Sequence, residues 1–155
     1  MCKGGSMKAL ILVSVSILFL ATVLMPRSAA PSQGSPKDIL IIANNAVPQN
    51  RATVADVRNY FLKKQSNWSG GVKVVPVNVK AQALRDDFRQ KVLQMSATEE
   101  TRYWQNLKIT KGLTPPAEFS NAQKAVFKLK GSVSYVYRAD YTAGVSKILL
   151  TIPAS

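Results

Sequence analysis

The run DILIIAN at residues 38–44 constrains the fold of this 155-residue chain more than any other stretch. Its apolar part, Ile39 to Ala43, is uninterrupted and has polar residues at both ends, which is typical of a β-strand covered on both faces. Such a strand needs other elements packed on each side of its sheet. The run therefore predicts a layered protein built around a central sheet.

The segments that follow alternate between helical and strand patterns. Thr53 and Asp56 have capping-box spacing and predict a helix over residues 54–64. A strand is predicted over 72–79. The next helix is predicted from four apolar residues at helical spacing: Leu84, Phe88, Val92 and Met95.

The second half begins with another capping-box pair, Ser96 and Glu99, which predicts a third helix. Residues 109–120 are predicted to be irregular because they contain Gly112 and two adjacent prolines. The remaining predicted elements are a helix over 121–130 and strands over 132–141 and 145–152.

This order of elements predicts an α/β fold with a mixed, mostly parallel sheet flanked by helices. The first two strands are expected to be joined by a right-handed parallel crossover. The last two strands form a hairpin, or else the final strand returns to a neighbouring position in the sheet.

The amino terminus has the order of a secretory signal peptide. Lys3 and Lys8 precede 17 uncharged residues at 9–25, and small residues follow up to a predicted cleavage site after Ala30. The competing interpretation is an uncleaved membrane anchor, because this run is at the lower limit of a bilayer-spanning length. We expect a signal peptide over 1–30, a linker over 31–37 and a domain over 38–155, and we expect a periplasmic or otherwise exported protein.

The composition after residue 30 excludes several kinds of chemistry. That part of the chain has no cysteine and no histidine, which excludes disulfides, zinc fingers and catalysis by either residue type. Its eight acidic residues are too sparse for a glycosidase pair or an oxygen-ligand metal cage. We therefore expect no enzyme activity, no cofactor and no metal.

The predicted mature chain is strongly basic. Removal of Lys3, Lys8 and Arg27 leaves 18 basic residues against 8 acidic ones, a net charge of +10. In an exported protein this balance favours anionic ligands, lipid headgroups or acidic envelope polymers over nucleic acid. The alternative is that the charge serves solubility alone.

Lysines also form a local pattern near residue 126. Lys124 and Lys128 lie one helical turn apart and form a basic stripe with Lys130. A solvated helix face is the favoured interpretation of this stripe.

Asparagine residues follow the first predicted strand, where open α/β sheets bind ligands. Asn44, Asn45 and Gln49 are candidate polar contacts at that position. Ordinary turn chemistry explains them equally well, since asparagine hydrogen-bonds to its own local backbone.

A set of motifs in fixed order covers most of residues 39–136. The motifs are the strand and Asn-rich loop at 39–45, the helix VADVRNYFLKK followed by a tryptophan and Gly70–Gly71, the strand VVPV, the helix LRDDFRQKVL, the pair Tyr103–Trp104, TKG with a downstream Pro-Pro, and the strand GSVSYV. In this order they resemble short bacterial proteins similar to the phosphate-binding component of phosphate ABC transporters, which have the type 2 periplasmic-binding-protein fold.

The resemblance implies a single periplasmic-binding-protein-like lobe that holds a solute at strand carboxyl ends and helix amino termini. Phosphate binders of this family carry a Ser-Gly-Thr-like turn after the second matched strand, where this chain has Ala81, Gln82 and Ala83. Arg85 follows in the first turn of the helix and offers a charge-assisted contact. The predicted ligand-binding residues are Asn44, Asn45, Gln82 and Arg85.

Two functions are compatible with these observations. The first is an exported, non-enzymatic solute-binding domain that recognises phosphate or another small oxyanion, with an ABC-transporter permease or an envelope protein as partner. The second is a ligand-free envelope interaction or accessory module built on the same lobe. Neither involves nucleic acid, and membrane contact is expected only through the N-terminal segment if it is uncleaved.

Overall fold

A computed structural model of the chain describes residues 34–154, and these residues form a five-stranded sheet with helices packed against it. The strands are β1 Ile39–Ala43, β2 Val75–Val79, β3 Ala117–Phe119, β4 Ser132–Tyr137 and β5 Lys147–Ile152. The helices are α1 Val54–Phe61, α2 Gln82–Phe88, α3 Ala97–Lys111 and α4 Ala122–Lys128, and α2 continues directly into a π-helical turn at Arg89–Leu93.

The sheet is mixed, with strand order β3-β2-β4-β1-β5. Strand β2 pairs in parallel with β3 and β4, whereas β1 pairs antiparallel with both β4 and β5. Four strands therefore share one direction and β1 alone opposes them. This arrangement confirms the predicted α/β class and the mostly parallel sheet.

One topological expectation is wrong, and the structure decides between the two alternatives given for the last strands. A parallel crossover between β1 and β2 does not exist, because β4 lies between these strands and they run in opposite directions. Of the two alternatives for the last strands, the hairpin is wrong because β1 separates β4 from β5, and the final strand instead returns to a position in the same sheet beside β1. The side-chain patterns that identified these strands contain no information on strand direction, which long-range pairing decides.

The helix starts follow local sequence chemistry. The hydroxyls of Thr53 and Ser96 each accept a hydrogen bond from the backbone N–H three residues on. The carboxylates of Asp56 and Glu99 accept in turn from the backbone N–H of the cap residues. Helix α3 ends at Gly112, whose φ of 65° is a left-handed conformation that glycine adopts without strain. The capping boxes predicted from sequence are confirmed at both positions.

The segment predicted to be irregular contains more structure than expected. Helix α3 extends into it as far as Lys111, and Ala117–Phe119 forms the edge strand β3. All three residues of β3 are exposed, so the strand has no buried face to leave an apolar pattern in the sequence. The predicted helix over 54–64 and the predicted strand over 132–141 are each shorter at their carboxyl ends, at Phe61 and Tyr137.

The core lies on both faces of the sheet, and every residue of β1 is fully buried. An aromatic cluster joins two helices to the sheet on one face. The Phe88 ring stacks on Tyr135 of β4 with 3.8 Å between centroids, and Phe61 lies 4.7 Å from Phe88. Aromatic pairs of this kind contribute about 0.5–1.5 kcal/mol beyond their buried area. The cluster fixes the position of α2 over β4.

The segment before β2 is held to the start of β4 by a tryptophan. Trp68 is 2% exposed, and its indole N–H donates to the carbonyl of Gly131 over 2.8 Å. Gly131 has a φ of 78°, and a Cβ there would overlap the carbonyl oxygen of Lys73. This backbone contact requires glycine for two separate reasons.

Among residues 34–154, no helix is both long enough and apolar enough to cross a membrane. The predicted signal peptide, the first three linker residues and Ser155 lie outside the described residues.

We expect Gly131→Ala to destabilise the domain far more than Gly144→Ala. The two glycines have φ values of 78° and 83°, but nothing lies within 4 Å of a Cβ built at Gly144. Gly144→Ala should therefore lower the free energy of unfolding only by the cost of a left-handed conformation for alanine, about 1–2 kcal/mol. Gly131→Ala should lose at least about 2 kcal/mol more in the free energy of unfolding, measured in urea, because it also displaces Lys73. Equal losses would contradict the close backbone contact.

Candidate anion-binding site

The strand directions decide which loops share an edge of the sheet. Strands β2, β3 and β4 run in the same direction, so their carboxyl ends lie at one edge, which we call the carboxyl edge. The carboxyl end of β1 lies at the opposite edge, next to the start of β4, because Ala43 pairs with Val133. The predicted site residues therefore separate into two pairs: Asn44 and Asn45 at one edge, Gln82 and Arg85 at the other.

Asn44 is engaged in local structure. Its amide nitrogen donates to the carbonyls of Val126 and Phe127, at 2.8 Å and 3.1 Å, and so caps the end of α4. Its amide oxygen accepts from the Ala46 N–H over 2.9 Å, which closes a turn. Asn45 is exposed beside it. For Asn44, turn and cap chemistry accounts for the residue type.

Arg85 lies at the carboxyl edge, and acidic residues surround it. Its guanidinium forms an ion pair with Glu118 of β3 and approaches Glu100 of α3 at 4.0 Å. Glu100 is 8% exposed and also accepts from Arg89 at 2.6 Å. These contacts join α2, α3 and β3, and they neutralise the charge that the sequence analysis assigned to a ligand.

The side chain of Gln82 also has a hydrogen-bond partner within the protein. Its side-chain amide donates to Asp86 over 2.9 Å, one helical turn further along α2. Asp86 also pairs with Arg89 at 2.5 Å. The side chain of Gln82 is thus turned along its own helix, while its backbone N–H belongs to the first turn of α2.

The amino end of α2 has no internal cap. The residue at the cap position, Ala81, has extended backbone angles, and no side chain accepts from the first turn. The four N–H groups at a helix start need partners from outside the helix, and the aligned peptide dipoles give that end a partial positive charge. Alanine at the cap position leaves these donors without a side-chain partner.

A cleft of about 230 Å³ opens beside this uncapped turn at the carboxyl edge. It is lined by Val79, Ala81, Leu84, Ser120, Asn121, Ala122, Gln123, Val136, Asp140 and Thr142. The Lys80 N–H donates to the carbonyl of Phe119 over 3.0 Å, which holds the turn after β2 next to the turn after β3. Ser120 is exposed at the cleft, so a hydroxyl reaches this position from β3 and not from the turn after β2.

The other polar groups of the cleft are largely paired. Gln123 donates to the Thr142 carbonyl at 2.5 Å and accepts from the Thr142 N–H at 3.0 Å. Asn121 caps α4 by accepting from the Lys124 N–H over 2.8 Å. Asp140 contributes one negative charge to the lining. The donors best placed for a ligand are the Ser120 hydroxyl and the first-turn N–H groups of α2.

Sequence reasoning missed Ser120 and Asn121 as site residues. They reach the carboxyl edge only because β3 pairs with β2, and β3 itself was not predicted. The signal present in the sequence is a serine and an asparagine directly before a helix, which by itself predicts a helix cap. No group of three or more potential metal ligands occurs within residues 34–154.

A tyrosine fixes α2 at the carboxyl edge. The Tyr137 hydroxyl, at the end of β4, donates to Asp87 of α2 over 2.7 Å. Burial, followed by the hydrogen bond and the charge of Asp87, raises the pKa of Tyr137 to about 12. The neutral phenol is therefore the form that the folded protein stabilises.

We expect this contact to disappear in alkaline solution. Because the pKa of Tyr137 is above its ordinary value of 10.0, its contribution is complete below pH 10 and is lost as the pH rises towards 12. Tyr137→Phe should lower the free energy of unfolding by about 1 kcal/mol at neutral pH. The variant should also lose stability less steeply than the wild type in this alkaline range. Parallel curves of unfolding free energy against pH would contradict the assignment.

Comparisons with solved structures find the same fold in solute-binding proteins. A candidate phosphate ABC transporter substrate-binding protein from Clostridium perfringens, solved with bound phosphate, superposes with a TM-score of 0.53 at 15% identity, over 74% of this chain and 45% of that one. An ABC-type phosphate transport receptor from Vibrio cholerae gives a TM-score of 0.55 at 12% identity, over 81% of this chain and 52% of that one. No protein-family model and no curated protein sequence matches the chain.

These similarities show the fold, which is that of one periplasmic-binding-protein-like lobe. The chain spans about half the length of the solved structures that it resembles. At this level of identity the similarity establishes the fold alone.

Proposed function

We propose that this domain is a non-enzymatic solute-binding domain that holds a small oxyanion, with phosphate as the first ligand to test, in the carboxyl-edge cleft. The fold and the phosphate-related function of the two similar structures support this ligand class. The net charge of +10 after residue 30 favours an anion over a cation or a neutral solute. Transport through an ABC permease and export through the N-terminal segment are part of the same proposal.

One observation carries the proposal: the uncapped amino end of α2 opens onto a cleft at the carboxyl ends of three strands. A helix amino end attracts anions because its free N–H groups and its dipole both favour negative charge. The Ser120 hydroxyl adds a donor from the other side of the cleft.

The roles of the predicted residues change in this proposal. Gln82 contributes its backbone N–H, because its side chain is bound to Asp86. Arg85 contributes little, because Glu118 and Glu100 already neutralise it. Asn44 and Asn45 take no part, because they lie at the opposite edge of the sheet.

A single lobe contacts a bound anion from one side only, so the anion keeps part of its hydration. Selective and tight binding of an oxyanion requires that nearly all of its hydrogen bonds are filled by the protein. We therefore expect weak binding by the isolated chain and tighter binding when a second surface closes over the cleft.

The second candidate function is an envelope interaction or accessory module that has kept the lobe without a ligand. The pairing of Arg85 with acidic residues and the carboxylate of Asp140 in the cleft favour this alternative. The two functions differ in whether phosphate binds at all.

Two substitutions at residue 82 test the proposal. Gln82→Pro removes the first N–H of α2 in a position that tolerates proline, and the extended angles of Ala81 suit a residue before proline. Gln82→Ala keeps the N–H and removes only the side chain. A hydrogen bond to a charged group contributes about 1.5–3 kcal/mol, so the proline variant should bind phosphate at least about tenfold more weakly.

Isothermal titration with phosphate is the measurement, with circular dichroism to verify that each variant is folded. Gln82→Ala should bind within about twofold of the wild type, because the proposal assigns no ligand contact to that side chain. Equal losses in the two variants would place the contact on the side chain. An absence of heat at millimolar phosphate would refute oxyanion binding and favour the ligand-free module.

A further inference from the structure

The carboxyl end of α4 forms a surface patch that combines positive charge with exposed apolar groups. We call it the basic–aromatic patch, and its members are Lys124, Phe127, Lys128, Leu129 and Lys130. Lys124, Phe127 and Lys128 are spaced three and four residues apart and so share one face of the helix. Phe127 is 60% exposed and Leu129 is 38% exposed. A merely solvated helix face does not account for these two apolar side chains.

The opposite face of α4 is fully used in the fold. Ala122, Ala125 and Val126 are buried, and the helical phase places Phe127 outside that buried face. The Asn44 side chain holds the carbonyls of Val126 and Phe127. The patch is thus presented at a helix end that is held in place by a hydrogen-bonded cap.

The positive charge of the patch is not compensated within the described part of the chain. Every ion pair among residues 34–154 is made by an arginine, namely Arg85, Arg89 or Arg138, and none by a lysine. The backbone of Lys73 lies against Gly131, the residue that follows the patch.

We propose that the basic–aromatic patch docks the domain on the surface of an anionic membrane. The lysines would contact lipid headgroup phosphates, and Phe127 and Leu129 would enter the boundary between headgroups and acyl chains. A leucine has no ring on which a nucleic-acid base can stack, whereas the lipid boundary accommodates both apolar side chains. This contact is additional to any membrane contact by the N-terminal segment.

The patch extends towards the carboxyl end of α4, and the cleft lies at the start of the same helix, where Lys124 of the patch directly follows the cleft residue Gln123. Asn121 and Ala122, at the start of the helix, line the cleft, and the patch ends at Lys130. Phe127 follows Gln123 by four residues, which separates the apolar part of the patch from the cleft by about 6 Å along the helix axis. The apolar groups that would enter the lipid therefore lie away from the cleft.

Flotation of the full chain with lipid vesicles tests the proposal. The vesicles contain phosphatidylglycerol with phosphatidylcholine, or phosphatidylcholine alone. The patch variant replaces Lys124, Lys128 and Lys130 with glutamine. The control variant carries Lys37→Gln, Lys108→Gln and Lys111→Gln at exposed positions elsewhere, so its net charge changes by the same amount as that of the patch variant. Both variants keep the N-terminal segment, whose own contribution is therefore constant.

We expect the wild type to bind the phosphatidylglycerol vesicles more strongly than the neutral ones. Each lysine near an anionic surface contributes about fivefold in partitioning, so the patch variant should bind on the order of a hundredfold more weakly. The control variant should stay within about fivefold of the wild type. Phe127→Ser should weaken binding about tenfold at unchanged charge, because insertion of its ring is lost.

Three results would overturn the proposal. The first is equal binding to charged and neutral vesicles by the wild type. The second is an equal loss in the patch and control variants, which would assign the effect to net charge alone. The third is a patch variant that binds like the wild type. Urea unfolding of each variant verifies that a lost interaction does not reflect a lost fold.

Discussion

Strand β4 pairs with β1 on one side and with β2 on the other, in opposite senses. This central position sets the direction of every other strand, because β3 pairs in parallel with β2 and β5 pairs antiparallel with β1. It also supplies Tyr135, whose ring stacks on Phe88 and so positions α2. The pairing thereby decides which turns meet at the carboxyl edge and which lie at the opposite edge.

The charges are distributed according to these edges. At the carboxyl edge Arg85 of α2 and Arg89 of the π-helical turn are bound by carboxylates from α2, α3 and β3, so they stabilise the assembly of these elements. What remains open there is backbone, at the uncapped start of α2. The lysines near the end of α4 have no acidic partner among residues 34–154 and lie beside exposed apolar groups. The two ends of α4 therefore differ in character, with open backbone donors near one and lysines beside apolar side chains at the other.

Local features could be predicted from sequence because their causes are local. The capping boxes at Thr53 and Ser96 and the buried run of β1 depend on residues close together in the chain. The direction of β1 could not be predicted, because its apolar pattern is the same in a parallel or an antiparallel pairing. The predicted site depended on that direction, because Asn44 and Arg85 lie at the same edge of the sheet only if β1 and β2 are parallel.

The short strand β3 shows a second limit. Its three residues are exposed and stay in the sheet through pairing with β2, which a sequence pattern does not record. Without β3, the sequence offered no reason to place Ser120 next to Ala81. The sequence shows that Arg85 is a charged residue in the first turn of α2. Its pairing with Glu118 depends on β3, which was not predicted.

We propose that an anion binds the open backbone at the start of α2 and not Arg85, which is paired with acidic residues. A nitrogen–proton NMR titration with phosphate reports on both groups in one spectrum, through the backbone amides and the arginine Nε–H. We predict the largest shifts at residues 82–84 and at Ser120, with little change at the Arg85 Nε–H. Shifts concentrated at Arg85, or at Asn44 and Asn45, would contradict this account.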